Sequence, residues 1–131
     1  MENDITIGMT GEKSTTVSAD QTAEHLGSGG LQVYATPAMV SLMEGAAVAA
    51  IDPHLPDGYA TVGVKISIKH LAPTPLSQQV RAEAEVTEVD RRKITLTVKA
   101  YDEHELIGEG THVRFIIDIA QFEQRVADKL N

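Results

Sequence analysis

Thr36–Ile51 reads TPAMVSLMEGAAVAAI, and the only formally charged residue in it is Glu44. Thr36-Pro37 supplies a capping hydroxyl and a proline at the first helical position, and Asp52-Pro53 ends the pattern, so a helix is predicted over 36–51. Val40, Met43, Ala47, Val48 and Ile51 recur along it at spacings of three and four, the period of one helical face. The other side carries Ser41, Gly45 and small alanines in place of charges. A helix with almost no polar side is covered nearly all round, and its small residues let a sheet or a second helix come close. Glu44 is therefore predicted to sit in an apolar setting, where a lone carboxylate costs free energy unless it is paired or hydrogen-bonded. Such a charge needs a task. Thr36, eight residues earlier, and His70, at the end of a strand-like run, are the side chains placed to share it.

Downstream the period changes to two. Between Thr61 and His70, the residues Val62, Val64, Ile66, Ile68 and His70 share one parity, and Thr61, Gly63, Lys65, Ser67 and Lys69 share the other. Strict alternation puts His70 on the helix side with the four aliphatic residues. Leu71–Pro75 breaks the strand, and Val80, Ala82, Ala84 and Val86 then alternate with charged residues. A turn at Asp90-Arg91-Arg92 leads into Ile94, Leu96, Val98 and Ala100, and a second at Asp102-Glu103-His104 leads into a long strand over Leu106–Ile119. Ala120–Leu130 reads as a short amphipathic helix. Upstream, residues 1–14 form a loose or edge segment and Lys13–Ala19 a first strand rich in β-branched residues. His25–Gly30 (HLGSGG) lacks the Gly-Lys-Ser/Thr of a phosphate-binding loop and serves as a connector or a lid. One buried helix followed by antiparallel strands with short turns makes an α+β domain, its sheet wrapped around the helix. Such a sheet leaves a strand edge and part of the helix uncovered, which predicts a dimer.

A chain of 131 residues is the size of one domain, here 1–131. With two Phe, three Tyr and no Trp, the core must be mainly aliphatic, and Met39 and Met43 are fillers of that core. The absence of cysteine removes disulfides, thiolate metal sites and cysteine nucleophiles, and it fits a reducing cytoplasm, the expected location. Histidines 25, 54, 70, 104 and 112 show no close pair at metal-ligand spacing, so no metal site is expected. The net charge of −8 and the lack of a long basic cluster oppose nucleic acid as a partner, though a few local cations can still hold a small anionic ligand. The N-terminus has no secretory pattern, and no apolar run reaches the roughly 20 residues of a membrane span.

The residues Ala35-Thr36, Met39-Val40, Leu42-Met43-Glu44 and Ala47-Val48, then Gly63 and His70, then Gly108, Gly110-Thr111-His112 and Arg114, resemble the hotdog-fold thioesterases. Within that superfamily the chain is most similar to the fluoroacetyl-CoA thioesterase-like group, over residues 13–128 in element order. The resemblance implies a hotdog fold, an antiparallel sheet around one long central helix, and hydrolysis of an acyl-CoA by a homodimer or dimer of dimers. No cofactor is implied beyond the CoA carried by the substrate. It further implies Thr36, Glu44 and His70 as the catalytic set, with Gly63 and Arg114 contacting substrate. Thioester hydrolysis needs an attacking oxygen, a proton acceptor and donors facing the developing oxyanion. Glu44 can attack or activate water, His70 can move a proton or hold the carboxylate, and Thr36 can donate at a helix N-terminus that favours negative charge. Gly63, without a side chain, lets a thioester carbonyl come close to its backbone. Which group is the nucleophile stays open.

The chain departs from the fluoroacetyl-specific members in two places. They carry an aromatic lid ahead of the helix, where this sequence has Gly27-Ser28-Gly29-Gly30 with Tyr34 nearby, and Gly45 follows the glutamate in place of their tryptophan-containing pattern. A short- or medium-chain acyl-CoA is thus expected in place of fluoroacetyl-CoA. Taken singly, Thr36 is an N-cap, His70 a hydrogen-bonded strand end and Arg114 a solvated residue or ion-pair partner. Glu44 alone is a carboxylate bonding backbone N–H groups at a dimer interface. Two other functions use the same fold: a module that binds acyl-CoA or an acyl carrier without turnover, and enoyl-thioester hydration, which calls for an Asp and a His that do not fall at the front of this helix.

Overall fold

Thr36–Ile51 forms helix α2 as predicted, in a computed structural model that describes residues 4–130. Residues 1–3 of the expected loose segment lie outside the described residues. The start of the helix corrects the capping assignment. Its first internal hydrogen bond runs from Met39 N–H to the Ala35 carbonyl at 3.0 Å, so Ala35 is the N-cap and Thr36 the first helical residue, with no side-chain bond to the helix end. The chain is drawn in to this point because Tyr34 N–H and Ala35 N–H are already bonded to the carbonyls of Thr74 and Gln21. The Thr36 hydroxyl is thereby left for other work.

Five strands surround the helix: β1 (Thr10–Thr16), β2 (Tyr59–His70), β3 (Gln79–Asp90), β4 (Lys93–Tyr101) and β5 (Leu106–Asp118). A one-turn helix α1 (Ala23–Leu26) precedes α2, and α3 (Ile119–Asp128) follows β5. β1 starts and ends three residues before the predicted Lys13–Ala19. All pairings are antiparallel, in the order β1-β3-β4-β5-β2. The last three strands form the expected meander, and β1 and β2 are the two edges. Alternating residues of the meander, including Val80, Val86, Leu96, Val98 and Ile116, are buried against Met39, Met43, Ala47 and Ile51 of α2 in one apolar cluster. The architecture is α+β with the sheet curled around α2.

Within one chain α2 is not covered all round, contrary to the sequence reading. Met39, Leu42, Met43, Ala46, Ala47, Ala50 and Ile51 are buried, but Ser41 and Ala49 are exposed, and Val40, Glu44 and Val48 are only half-buried. Thr36, Val40, Glu44 and Val48 follow one i+4 ridge, and this ridge meets solvent. On the opposite side the small residues do permit close approach. A Cβ added at Gly11 of β1 would overlap the backbone of Ala46 and Ala50, and one at Gly45 would meet the Lys13 side chain 2.6 Å away. Backbone cannot yield as a side-chain tip can. Gly11→Ala is therefore expected to cost about 1–3 kcal/mol, read as a lower urea midpoint with an unchanged slope; an unchanged midpoint would show that β1 does not press on the helix this closely.

Candidate active site

Strict alternation fails in β2. Gly63 pairs with Arg114 and Lys65 with Val113, so Val64 is an extra residue bulged out of the ladder. A bulge of one residue reverses the facing of everything beyond it. Before it, Thr61 and Gly63 face the helix side, opposite Ile116 and Arg114; after it, Ile66, Ile68 and His70 do so, opposite His112, Gly110 and Gly108. Val62 and Val64 therefore do not share a face with His70 as predicted, and Val64 is 59% exposed. Without the bulge, Gly63 and His70 would lie on opposite faces of the sheet.

Thr36 and His70 meet. Thr36 Oγ1 and His70 Nδ1 are 2.7 Å apart, a hydrogen bond between the first residue of α2 and the last of β2. Burial pushes the His70 imidazole below its ordinary value of 6.5, with an opposing pull from the Ala72 backbone. Nε2 of the ring is buried without a hydrogen-bond partner, while the Ala72 backbone favours a proton on the ring. The pair opens onto a hollow of about 350 Å³ lined by Ser28, Val33, Tyr34, Leu71, Ala72 and Pro73 among others. Tyr34 does not act as an aromatic lid here: it is buried, and burial pushes its hydroxyl up to about 12.

Glu44, Gly63 and Arg114 meet in a second group. Arg114 Nη1 lies 3.8 Å from Glu44 Oε2, and a Cβ built on Gly63 would stand 3.1 Å from the same oxygen and 3.3 Å from Arg114 Nη1. Gly63 thus keeps open the space in front of the carboxylate. The Glu44 side chain is 42% exposed in the single chain, which corrects the expected buried acid; the sheet supplies a cation beside it instead of an apolar wall. Arg114 is the buried member, at 6%. Its Nε donates to Thr61 Oγ1 at 2.8 Å, Nη2 to the Thr61 carbonyl at 2.9 Å and Nη1 to His112 Nε2 at 3.1 Å. Thr61 Oγ1 in turn donates to Asp52 Oδ1 at 2.6 Å. Burial lowers the Arg114 guanidinium's affinity for its proton, and the charges of Asp52 and Glu44 offset only part of that.

The sequence assigns no site role to Asp52, Thr61 or His112, although His112 is among the residues that carry the resemblance. His112 carries a readable signal: it stands two positions before Arg114 in a strand, hence on the same face. Thr61 and Asp52 carry none, since a helix-end aspartate and a strand threonine are each ordinary. The two groups lie apart within one chain. Thr36 to Glu44 spans eight residues of α2, about 12 Å of helix axis, and His70 to Gly63 spans about 20 Å of strand.

The same arrangement of strands around a central helix is found in known proteins. A family model described as "FlK: Fluoroacetyl-CoA-specific thioesterase" matches residues 17–120. The chain belongs to this family. It is 39% identical to a fluoroacetyl-CoA thioesterase of Streptantibioticus cattleyicolor over 98 residues, which is 75% of this chain and 70% of that protein. It is also similar to the crystal structure of a mutant fluoroacetyl-CoA-specific thioesterase in complex with fluoroacetate and CoA. That match has a TM-score of 0.84 and 33% identity, covering 90% of this chain and 99% of that one. A hypothetical protein of Thermus thermophilus, described as a thioesterase superfamily member, gives a TM-score of 0.88 and 29% identity, with 97% and 96% covered. The fold is the hotdog expected from the sequence, and the protein is a thioester hydrolase. Among the described residues no helix is long and apolar enough to cross a membrane.

Proposed function

We propose that the protein hydrolyses a short- or medium-chain acyl-CoA to the free acid and CoA, in a site completed between two subunits. The observation that carries the reading is the 2.7 Å contact between Thr36 Oγ1 and His70 Nδ1 at the floor of an open hollow. With its proton on Nε2, the neutral ring presents Nδ1 to accept the hydroxyl proton. Thr36 Oγ1 then attacks the thioester carbonyl while its proton passes to His70. The C–S bond breaks, the CoA thiolate takes that proton, and an acyl-threonine ester remains. Water hydrolyses the ester with Glu44 as general base. A direct attack of water, with no ester, is the second reading; it is favoured by the open space that Gly63 leaves in front of Glu44.

Glu44 is too far along α2 to serve Thr36 of its own chain, and the topology supports a remedy. Among the described residues β2 is an unpaired edge, and the ridge of α2 that carries Thr36 and Glu44 is half-covered. Two copies pairing antiparallel through β2, about a two-fold axis near Ile66–Ser67, would set His70 opposite Gly63 of the partner subunit. Thr36 and His70 of one chain would then face Glu44 of the partner subunit. Edge pairing also satisfies the open row of backbone groups. The glycine-rich Gly27–Gly30 segment at the rim supports a substrate range wider than fluoroacetyl-CoA.

The test is thiol release from a panel of acyl-CoAs of increasing chain length. Turnover of several short and medium chains is expected, with an acid limb of kcat/KM as pH falls and His70 takes a proton: burial in the single chain lowers its pKa, and the facing carboxylate of the partner subunit pulls the other way. Tight acyl-CoA binding with no thiol released would sink the hydrolytic reading in favour of a binding module.

A further inference from the structure

We propose that His112 is a positioning residue: its Nε2 holds Nη1 of Arg114 and so keeps the guanidinium from closing onto Glu44, leaving the carboxylate free to react. The proposal rests on the role given to Glu44 above, and nothing in that role requires His112. His112 is 1% exposed, in β5 opposite Ile66 of β2 and Leu96 of β4. The charged groups that act on it are Arg114 from its own strand and Glu44 from α2; the Lys65 carbonyl, just past the bulge, meets it from β2.

The hydrogen bonds leave the ring one arrangement. A guanidinium only donates, so at 3.1 Å His112 Nε2 must be the acceptor for Arg114 Nη1. The proton of the neutral ring is then on Nδ1, which donates to the Lys65 carbonyl at 2.8 Å. Burial and the neighbouring guanidinium both disfavour a second proton, against the opposing pulls of the Lys65 carbonyl and Glu44. With Nε on Thr61 Oγ1 and Nη2 on the Thr61 carbonyl, three of the five N–H groups of Arg114 are committed to sheet residues. The carboxylate of Glu44 stands at 3.8 Å from Nη1, near enough to feel the charge but beyond a direct hydrogen bond. Nη1 keeps a second, uncommitted N–H, so once the acceptor at position 112 no longer holds the nitrogen in place, the guanidinium can close onto the Glu44 carboxylate. A charge-assisted pair formed there would tie up the oxygen that must take a proton from water.

The test has two arms. Long-range ¹H–¹⁵N correlation of the wild-type histidines at neutral pH reads the tautomer directly. Nδ1–H with an unprotonated Nε2 is expected for His112, and an Nε2–H or doubly protonated ring overturns the proposal whatever the enzyme's activity. The second arm compares His112→Phe, which has no acceptor, with His112→Gln, whose side-chain carbonyl can accept. Relative to wild type, His112→Phe is expected to lower kcat about tenfold or more with KM moved much less, because a hydrogen bond to a charged group is redirected. His112→Gln should recover most of kcat. Equal kcat in wild type and His112→Phe, or equal losses in both folded variants, would remove the role. If the Phe variant does not fold, the tautomer still decides. A wild type that releases no thiol fails the hydrolytic reading alone and leaves the spectroscopic arm standing.

Discussion

Glu44→Gln is expected to reduce steady-state kcat by about 10²–10⁴-fold, the range for loss of a general base, with far less effect on the first turnover. The amide keeps the size of the side chain and its place on α2 but cannot take a proton from water. If Thr36 is acylated before Glu44 acts, rapid mixing should still show a burst of thiol close to one per site, and acid-quenched protein should carry the acyl mass on the Thr36 peptide. Loss of the burst together with turnover would favour direct water attack. Equal kcat for wild type and Glu44→Gln would end the catalytic assignment. The same variant tests the shared site. Mixed with His70→Ala and allowed to exchange subunits, Glu44→Gln should regain activity, because a heterodimer then holds one site with an intact His70 from one chain and an intact Glu44 from the other. A site built within one chain gives no such recovery.

Arg114→Met is expected to cost about 3 kcal/mol or more of stability, because several buried acceptors lose their charged donor at once. Methionine roughly keeps the aliphatic stem but leaves the Thr61 carbonyl and His112 Nε2 without their donor, and Glu44 without its cation. For a chain of this size the loss corresponds to a fall of roughly 10 °C or more in Tm. The counterpart is Arg81, whose pair with Glu83 at 3.1 Å is close to half exposed on both sides; Arg81→Met should move stability by about 0.5 kcal/mol or less. If the two variants melted together, the buried guanidinium would not be held as described. Thiol release by Arg114→Met, measured well below its own Tm, should also fall, since the space between Glu44 and Gly63 loses the group that shapes it.

The parts of the fold that sequence determined are those set by local rules. The span of α2 follows from Pro37, the three-and-four spacing and Asp52-Pro53. The meander follows from two-residue alternation broken at Asp90–Arg92 and Asp102–His104. Glu44 could be singled out because charge is rare on such a helix, and Thr36, Gly63, His70 and Arg114 because their spacing matched a family. Tertiary structure decided the rest. The bulge at Val64 shifts the register between the pairs Gly63–Arg114 and His70–Gly108 of β2 and β5, a feature invisible in β2 read alone; it brings Gly63 and His70 to one face. Thr36 is free for His70 because contacts to Thr74 and Gln21 draw Ala35 into the capping position. The partner of Glu44 is a guanidinium seventy residues away, held by a threonine and a histidine whose pairing depends on which strands lie side by side. Periodicity reports how each segment relates to its own axis, whereas a site is made of distances between segments, and those are set only when the sheet closes around the helix.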